Sequence, residues 1–291
     1  MTIKTILAAA SGGSANDGAL ELACRFAKRF GAHIEAFHAK ADPRDLFTYS
    51  TDNFGGSLSG DFVDRFVKDS DALAAKTKAG VGAIFAHHQI PFSALPTANA
   101  GGKTEATAGW QEETGYAPAL VARRARFFDL VVLGRSERVI DQPHTDVVEQ
   151  TLINSGRPIL LAPATVPAAV GERVAVGWNG SAEATRALTA ALPFLSGAKG
   201  VSIITIGDKH QESAAALVAY LGWHGASAKH RHAPNVDGAS LGQQLLSVAR
   251  EENADLLVMG GYGQMPWREF LFGGATRDVV SASLLPLLIT H

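Results

Sequence analysis

The chain has 291 residues, 46% of them hydrophobic and 19% charged, which is the composition of a globular protein long enough for two ordinary domains. A formal net charge of -2, with no dense Lys/Arg run, excludes nucleic acid and an anionic membrane surface as expected partners, so any ligand has to be recognised locally. No apolar stretch approaches the ~18 residues that span a bilayer, and the single cysteine, Cys24, excludes an internal disulfide and suits a reducing cytoplasm.

In chain order, MTIKTILAAA pairs a lysine with a short apolar run that stops at SGGSANDG. That run is about half the core of a signal peptide and reads better as a first buried strand. Leu20, Ala23, Cys24 and Ala27 then share one helical face, which makes Cys24 a core residue. Asp42 to Gly60, rich in Asp, Ser, Gly and Thr, reads equally as an exposed loop or as a lid over a ligand crevice. Asp61 to His88 reads as a long helix ended by His87 and His88, with Phe62, Phe66 and Leu73 as packing surface. Pro91 to Lys103 is a second loop. FFDLVVLGRSE and RPILLAP supply two further apolar runs, and Ala164 to Gly171 forms a linker.

The second half alternates strand and helix as parallel α/β units do. Strands are predicted over Val174 to Trp178, Val201 to Ile206, Ala226 to His232, Leu256 to Met259 and Leu287 to Thr290. Helices are predicted over Ser181 to Leu195, opened by a serine cap, over Glu212 to Trp223, through Leu241, Leu245, Val248 and Ala249, and near Thr276 to Ser283. His230 and His232 share one face of an edge strand, where two imidazoles without a third ligand read as solvated rather than as a metal site.

The chain repeats itself. FFDLVVLGRSE parallels NADLLVMGGYG, an Asp and four apolar residues before Gly134 or Gly260. ILAAASGGSA parallels VAVGWNGSA, with Ser14 matched to Ser181. The first half carries about 41 extra residues between these landmarks. The expected fold is therefore α/β, two tandem open parallel five-stranded sheets with helices on both faces, related by a pseudo-twofold. The expected halves are residues 1–163 and 172–291, joined by a linker at 164–171.

In such a sheet the ligand crevice lies beyond the carboxyl ends of the strands where the winding reverses, so Gly180 and Gly260 would open onto one place. Glycine lets the backbone approach a phosphate, and a helix starting near Gly274 presents free N–H groups. There is no GxGxxG after a first strand, as a dehydrogenase needs, and no HxGH as in nucleotidyltransferases.

On these residues the chain resembles a tandem universal stress protein along its whole length, with the adenine nucleotide alpha-hydrolase-like fold that this implies. The nucleotide-binding branch of that family spaces glycine, two residues, glycine, nine residues, glycine, then Ser or Thr. Gly260, Gly263 and Gly273 keep the spacing, but Gly274 stands at the hydroxyl position, leaving Ala275 and Thr276 next, with the Thr276 hydroxyl as substitute. The family's Asp-Gly-Ser after the first strand is Asn179, Gly180, Ser181 here, which removes a charge that would help hold a metal.

The resemblance implies ATP or a related adenine nucleotide, with or without Mg, in the second half. Asn179 and Gly180 would lie near ribose and phosphates, and the backbone of Thr205 and Ile206 near adenine. It implies a stress-response regulator and not an enzyme, weak ATP hydrolysis aside. The alternatives are a ligand-free tandem scaffold and an enzyme of the wider superfamily. The first half has no glycine between Gly134 and Gly156 and carries Glu137 and Asp141, so its expected role is to pair with its sister, as subunits of a homodimer would.

Overall fold

A computed structural model describes residues 2–12, 14–43, 60–93, 105–135, 142–261 and 274–291. Its first half runs β1 (Thr5–Ala9), α1 (Ser14–Phe30), β2 (His33–Lys40), α2 (Gly60–His87), β3 (Thr107–Thr114), α3 (Ala117–Ala125), β4 (Leu130–Gly134), α4 (Gln142–Ser155) and β5 (Ile159–Ala162). The second runs β6 (Arg173–Gly177), α5 (Ala182–Leu195), β7 (Gly200–Ile206), α6 (Gln211–Trp223), β8 (Ala228–Ala233), α7 (Leu241–Glu251), β9 (Leu256–Gly260), α8 (Gly274–Ala282) and β10 (Leu287–Thr290).

The strands form one sheet in the order β3-β2-β1-β4-β5-β10-β9-β6-β7-β8. Neighbours within each half are parallel; only β5 and β10 pair antiparallel, with Leu161 opposite Leu287, Leu160 opposite Leu288 and Ile159 opposite Ile289. The two expected five-stranded sheets are thus continuous, with a local twofold near the Leu160–Leu288 pair. Both joining strands are short and buried throughout, and each would expose an unpaired edge alone. Pairing removes both edges at once.

Alternation along the strands divides the core in two. One layer contains Ile6, Ala8, Val174 and Val176 with residues of α1, α2, α5 and α6. The other contains Leu7, Val131, Ala175 and Leu257 with residues of α3, α4, α7 and α8. Cys24 lies in the first layer, and burial pushes its thiol up to about 12, as suits a packing residue. The halves also meet through helices. Phe26 of α1 packs edge-on against Phe194 of α5 with ring centres 4.9 Å apart, and Arg29 donates to the Phe194 carbonyl at 3.1 Å. Arg25 holds the connecting segment by donating to the Pro167 carbonyl at 2.5 Å.

The repeated aspartates have matching structural duties. Asp129, just before β4, accepts the amides of Lys4 and Thr5 at 2.8 and 3.0 Å as the chain enters β1. Asp255, just before β9, accepts the amides of Gly171, Glu172 and Arg173 at 2.7 to 3.1 Å as it enters β6. Each carboxylate satisfies backbone donors that start the neighbouring parallel strand.

Candidate functional site

Winding reverses between β1 and β4 and again between β6 and β9, so two crevices open at the carboxyl ends of those strands. In the second half Asn179 and Gly180 follow β6 and are exposed. The Asn179 side-chain carbonyl accepts the Ser181 amide at 3.2 Å, bending the chain into the next helix. Its oxygen is thereby engaged, and the amide NH2 is the group left to face a ligand. The NH2 suits a hydroxyl or phosphate oxygen, and the neutral side chain lacks the charge that draws a cation. Gly180 has φ +70°, where a side chain is strained.

Ser181 caps α5 by accepting the Ala184 amide at 3.1 Å, as its place in the sequence predicts. Glu183 sits in the first turn. Its own backbone amide holds its carboxyl below the usual range, with help from Ser181 and from Arg186, which donates to it at 2.8 Å. Two first-turn amides of α5 therefore already have acceptors inside the protein.

Gly260 is explained by packing. A Cβ there would stand 2.5 Å from the Glu183 carbonyl carbon and closer still to the Ala184 nitrogen, because the end of β9 lies directly on the first turn of α5. Gly261 is in similar case, with a Cβ 2.9 Å from Ile289 and 3.4 Å from Leu152. Gly263 and Gly273 lie outside the described residues. Helix α8 starts at Gly274; Ala275 is half-buried, and Thr276 is only 6% exposed, unlike the open Asn179–Gly180 turn.

At the end of β7 the Thr205 hydroxyl is buried against His230 Nε2 at 2.8 Å, and Ile206 packs on the core. Only backbone is offered there. Burial, then the neighbouring His232, lowers the His230 pKa, and the strand is the sheet edge expected of it. Among the described residues no group of three or more His, Cys, Asp or Glu is placed to hold a metal ion.

One residue absent from the sequence reading stands at the mouth. His210 opens α6 in the left-handed conformation, φ 69° and ψ 9°, and is exposed. Its Nδ1 lies 2.7 Å from where a Gly180 Cβ would be. Nothing local signals this, since the contact joins residues 30 apart in sequence through a strained turn.

The first-half crevice is built differently. Gly12, with φ +83°, lies beneath α2, where a Cβ would meet Thr77 Oγ1 at 2.6 Å and Leu73 at 3.0 Å. Lys40 at the end of β2 pairs with Asp71 of α2 at 2.6 Å, and Ser70 donates to the Ala41 carbonyl at 3.4 Å. The long helix thus crosses the carboxyl ends of β1 and β2. On the other side Arg135 takes the place of Gly261: its amide bonds to the Ala162 carbonyl as that of Gly261 bonds to Thr290. Its guanidinium is buried, with Nε and Nη1 lacking a hydrogen-bond partner among the described residues, and burial pulls its pKa down to about 10. Glu137 and Asp141 lie outside the described residues.

No family model and no curated protein sequence matches the chain. Solved structures do. A universal stress protein from Archaeoglobus fulgidus DSM 4304 superposes with a TM-score of 0.72 at 16% identity, covering 98% of this chain and 97% of that one. A functionally unknown protein from Pseudomonas aeruginosa PAO1 gives 0.52 at 11% identity, covering 99% and 92%. The chain has the universal stress protein fold over its whole length, and no helix among the described residues is long and apolar enough to cross a membrane.

Proposed function

We propose that the chain is a tandem universal stress protein, divided at residues 164–171, that binds ATP or a related adenine nucleotide in its second half and acts as a regulator rather than an enzyme. The observation that carries this reading is the open Asn179–Gly180 turn at the winding reversal, followed after β9 by glycines at the family's spacing. Asn179 offers a donor to ribose or phosphate oxygen, and the β7 backbone at Thr205 and Ile206 borders the base. The first-turn amides of α8, from Gly274 to Thr276, carry the positive end of a helix dipole toward phosphate. A metal ion, if it accompanies the nucleotide, is held mainly by the phosphates, since Asn179 brings no negative charge to the turn.

One observation supports the regulator reading, with weak ATP hydrolysis left open by it. Glu183, the carboxylate at the start of α5, is tied to its own amide and to Arg186, so it is a poor general base. A second reading, the ligand-free scaffold, is favoured by Gly260, whose glycine is needed by packing alone.

Mass spectrometry of ligand released from freshly purified, denatured protein separates the two. Bound nucleotide, or stabilisation near 2.7 kcal/mol at Mg-ATP concentrations about 100 times Kd, supports the proposal. Gly263→Asp should then abolish binding without unfolding the chain. No ligand and no thermal shift at millimolar Mg-ATP would leave the scaffold.

A further inference from the structure

We infer that His210 is a ligand-contacting residue of the second-half crevice, its imidazole closing over the Asn179–Gly180 turn and donating a hydrogen bond to the phosphate chain of the bound nucleotide. The inference rests on the nucleotide reading and adds to it a residue outside the glycine motif.

Three residues other than glycine have positive φ among the described residues: Gln89, Asn253 and His210. Gln89 and Asn253 follow the ends of α2 and α7, where a left-handed residue is an ordinary way to stop a helix. His210 instead precedes a helix. The position it fills favours Ser, Thr, Asp or Asn, whose side chain caps the first turn, and His210 makes no such cap. Histidine tolerates the left-handed region better than most residues, but capping does not account for its being held there.

What the conformation achieves is placement. It lays the ring against Gly180, and a side chain at 180 would collide with it. The ring is exposed, and its nitrogens have no hydrogen-bond partner among the described residues. A strained residue presenting an unused donor at the mouth of a crevice is a recurrent mark of a ligand contact. Among the described residues, two first-turn amides of α5 are already taken by Ser181 and Glu183, which leaves the Asn179 NH2 and the His210 ring as side-chain donors at the turn. The first half supplies an internal comparison. There the turn at Gly12 is exposed as well, but the side chains that stand against it are Leu73 and Thr77 of α2, where the second half places an imidazole.

The test is calorimetric titration of the full chain and its variants with Mg-ATP and with adenosine. His210→Ala should weaken ATP about tenfold or more while leaving adenosine within about twofold, and His210→Gln should recover part of the loss. His210→Gly should raise Tm by relieving the left-handed conformation and still weaken ATP, which a merely structural histidine would not do. Wild-type protein that binds ATP, with His210→Ala binding within twofold of it, overturns the inference and leaves the nucleotide reading standing. Equal loss of ATP and adenosine in His210→Gly also overturns it, because the contact would then lie on the nucleoside. Absence of any ATP binding by wild-type protein overturns both.

Discussion

Both halves of the sheet end their first strand in a glycine turn at a winding reversal, and the two turns differ in what lies on them. Over Gly12 runs α2, 28 residues and about 42 Å long, with Leu73 and Thr77 pressed against the glycine. Over Gly180 stands the start of α6, 13 residues, which contributes one exposed imidazole and leaves Asn179 open. The same topology thus gives two exposed glycine turns with different neighbours, a long helix in one half and a single imidazole in the other. What separates them is the length of a crossover and the residue after β4 or β9, Arg135 in one half and Gly261 in the other.

Changes at the turns and their supports should bring out this difference, beginning with the largest effect. Gly260→Ala should destabilise by roughly 4 kcal/mol in urea unfolding, because the added methyl meets backbone of α5 that cannot yield. Gly12→Ala should cost less, about 2 kcal/mol, since its obstacles are the side chains of Leu73 and Thr77 and the remainder is strain at φ +83°. A cost at Gly12 equal to that at Gly260 would mean that α2 is seated as rigidly as the α5 backbone.

Arg135→Met should stabilise the chain at neutral pH, by about 2 kcal/mol, by replacing a buried guanidinium without full partners. The sign follows from linkage. A folded pKa near 10, below the ordinary arginine value, means that the unfolded state binds the proton more tightly, so the wild type should gain stability only as pH rises above about 10. The variant should lack that rise. Asp255→Ala and Asp129→Ala should each cost roughly 1 to 2 kcal/mol, with Asp255 the larger because it accepts three strand-entry amides and Asp129 accepts two. Smallest of all, Asp71→Asn should change stability by less than about 0.5 kcal/mol, since its pair with Lys40 is exposed. An effect several times larger would show that this ion pair, rather than the Leu73–Thr77 packing, holds α2 over the first crevice.

Much of the architecture was legible because it is written locally. The strands of the second half, the Ser181 cap and the long helix before His88 follow from apolar period and cap chemistry, and the repeat locates the same elements in the first half. What was not legible is long-range. ILLA and LLIT look alike as buried strands, and nothing in either says that they pair with one another. The repeated aspartates read as part of a motif, although their partners are amides more than 80 residues away. Gly260 shows the converse error. A glycine required by the α5 backbone is indistinguishable in sequence from one that makes room for phosphate. His210 escaped because its meaning lies in a dihedral angle and in contact with Gly180.

The most direct test is the stoichiometry of Mg-ATP binding to the full chain, measured by equilibrium titration beside Gly263→Asp. A glycine motif kept only after β9 gives a single nucleotide per chain and none in the variant. Two nucleotides per chain, or binding that survives Gly263→Asp, would contradict the assignment of the ligand to the second half, and no binding at millimolar Mg-ATP would contradict the nucleotide reading altogether.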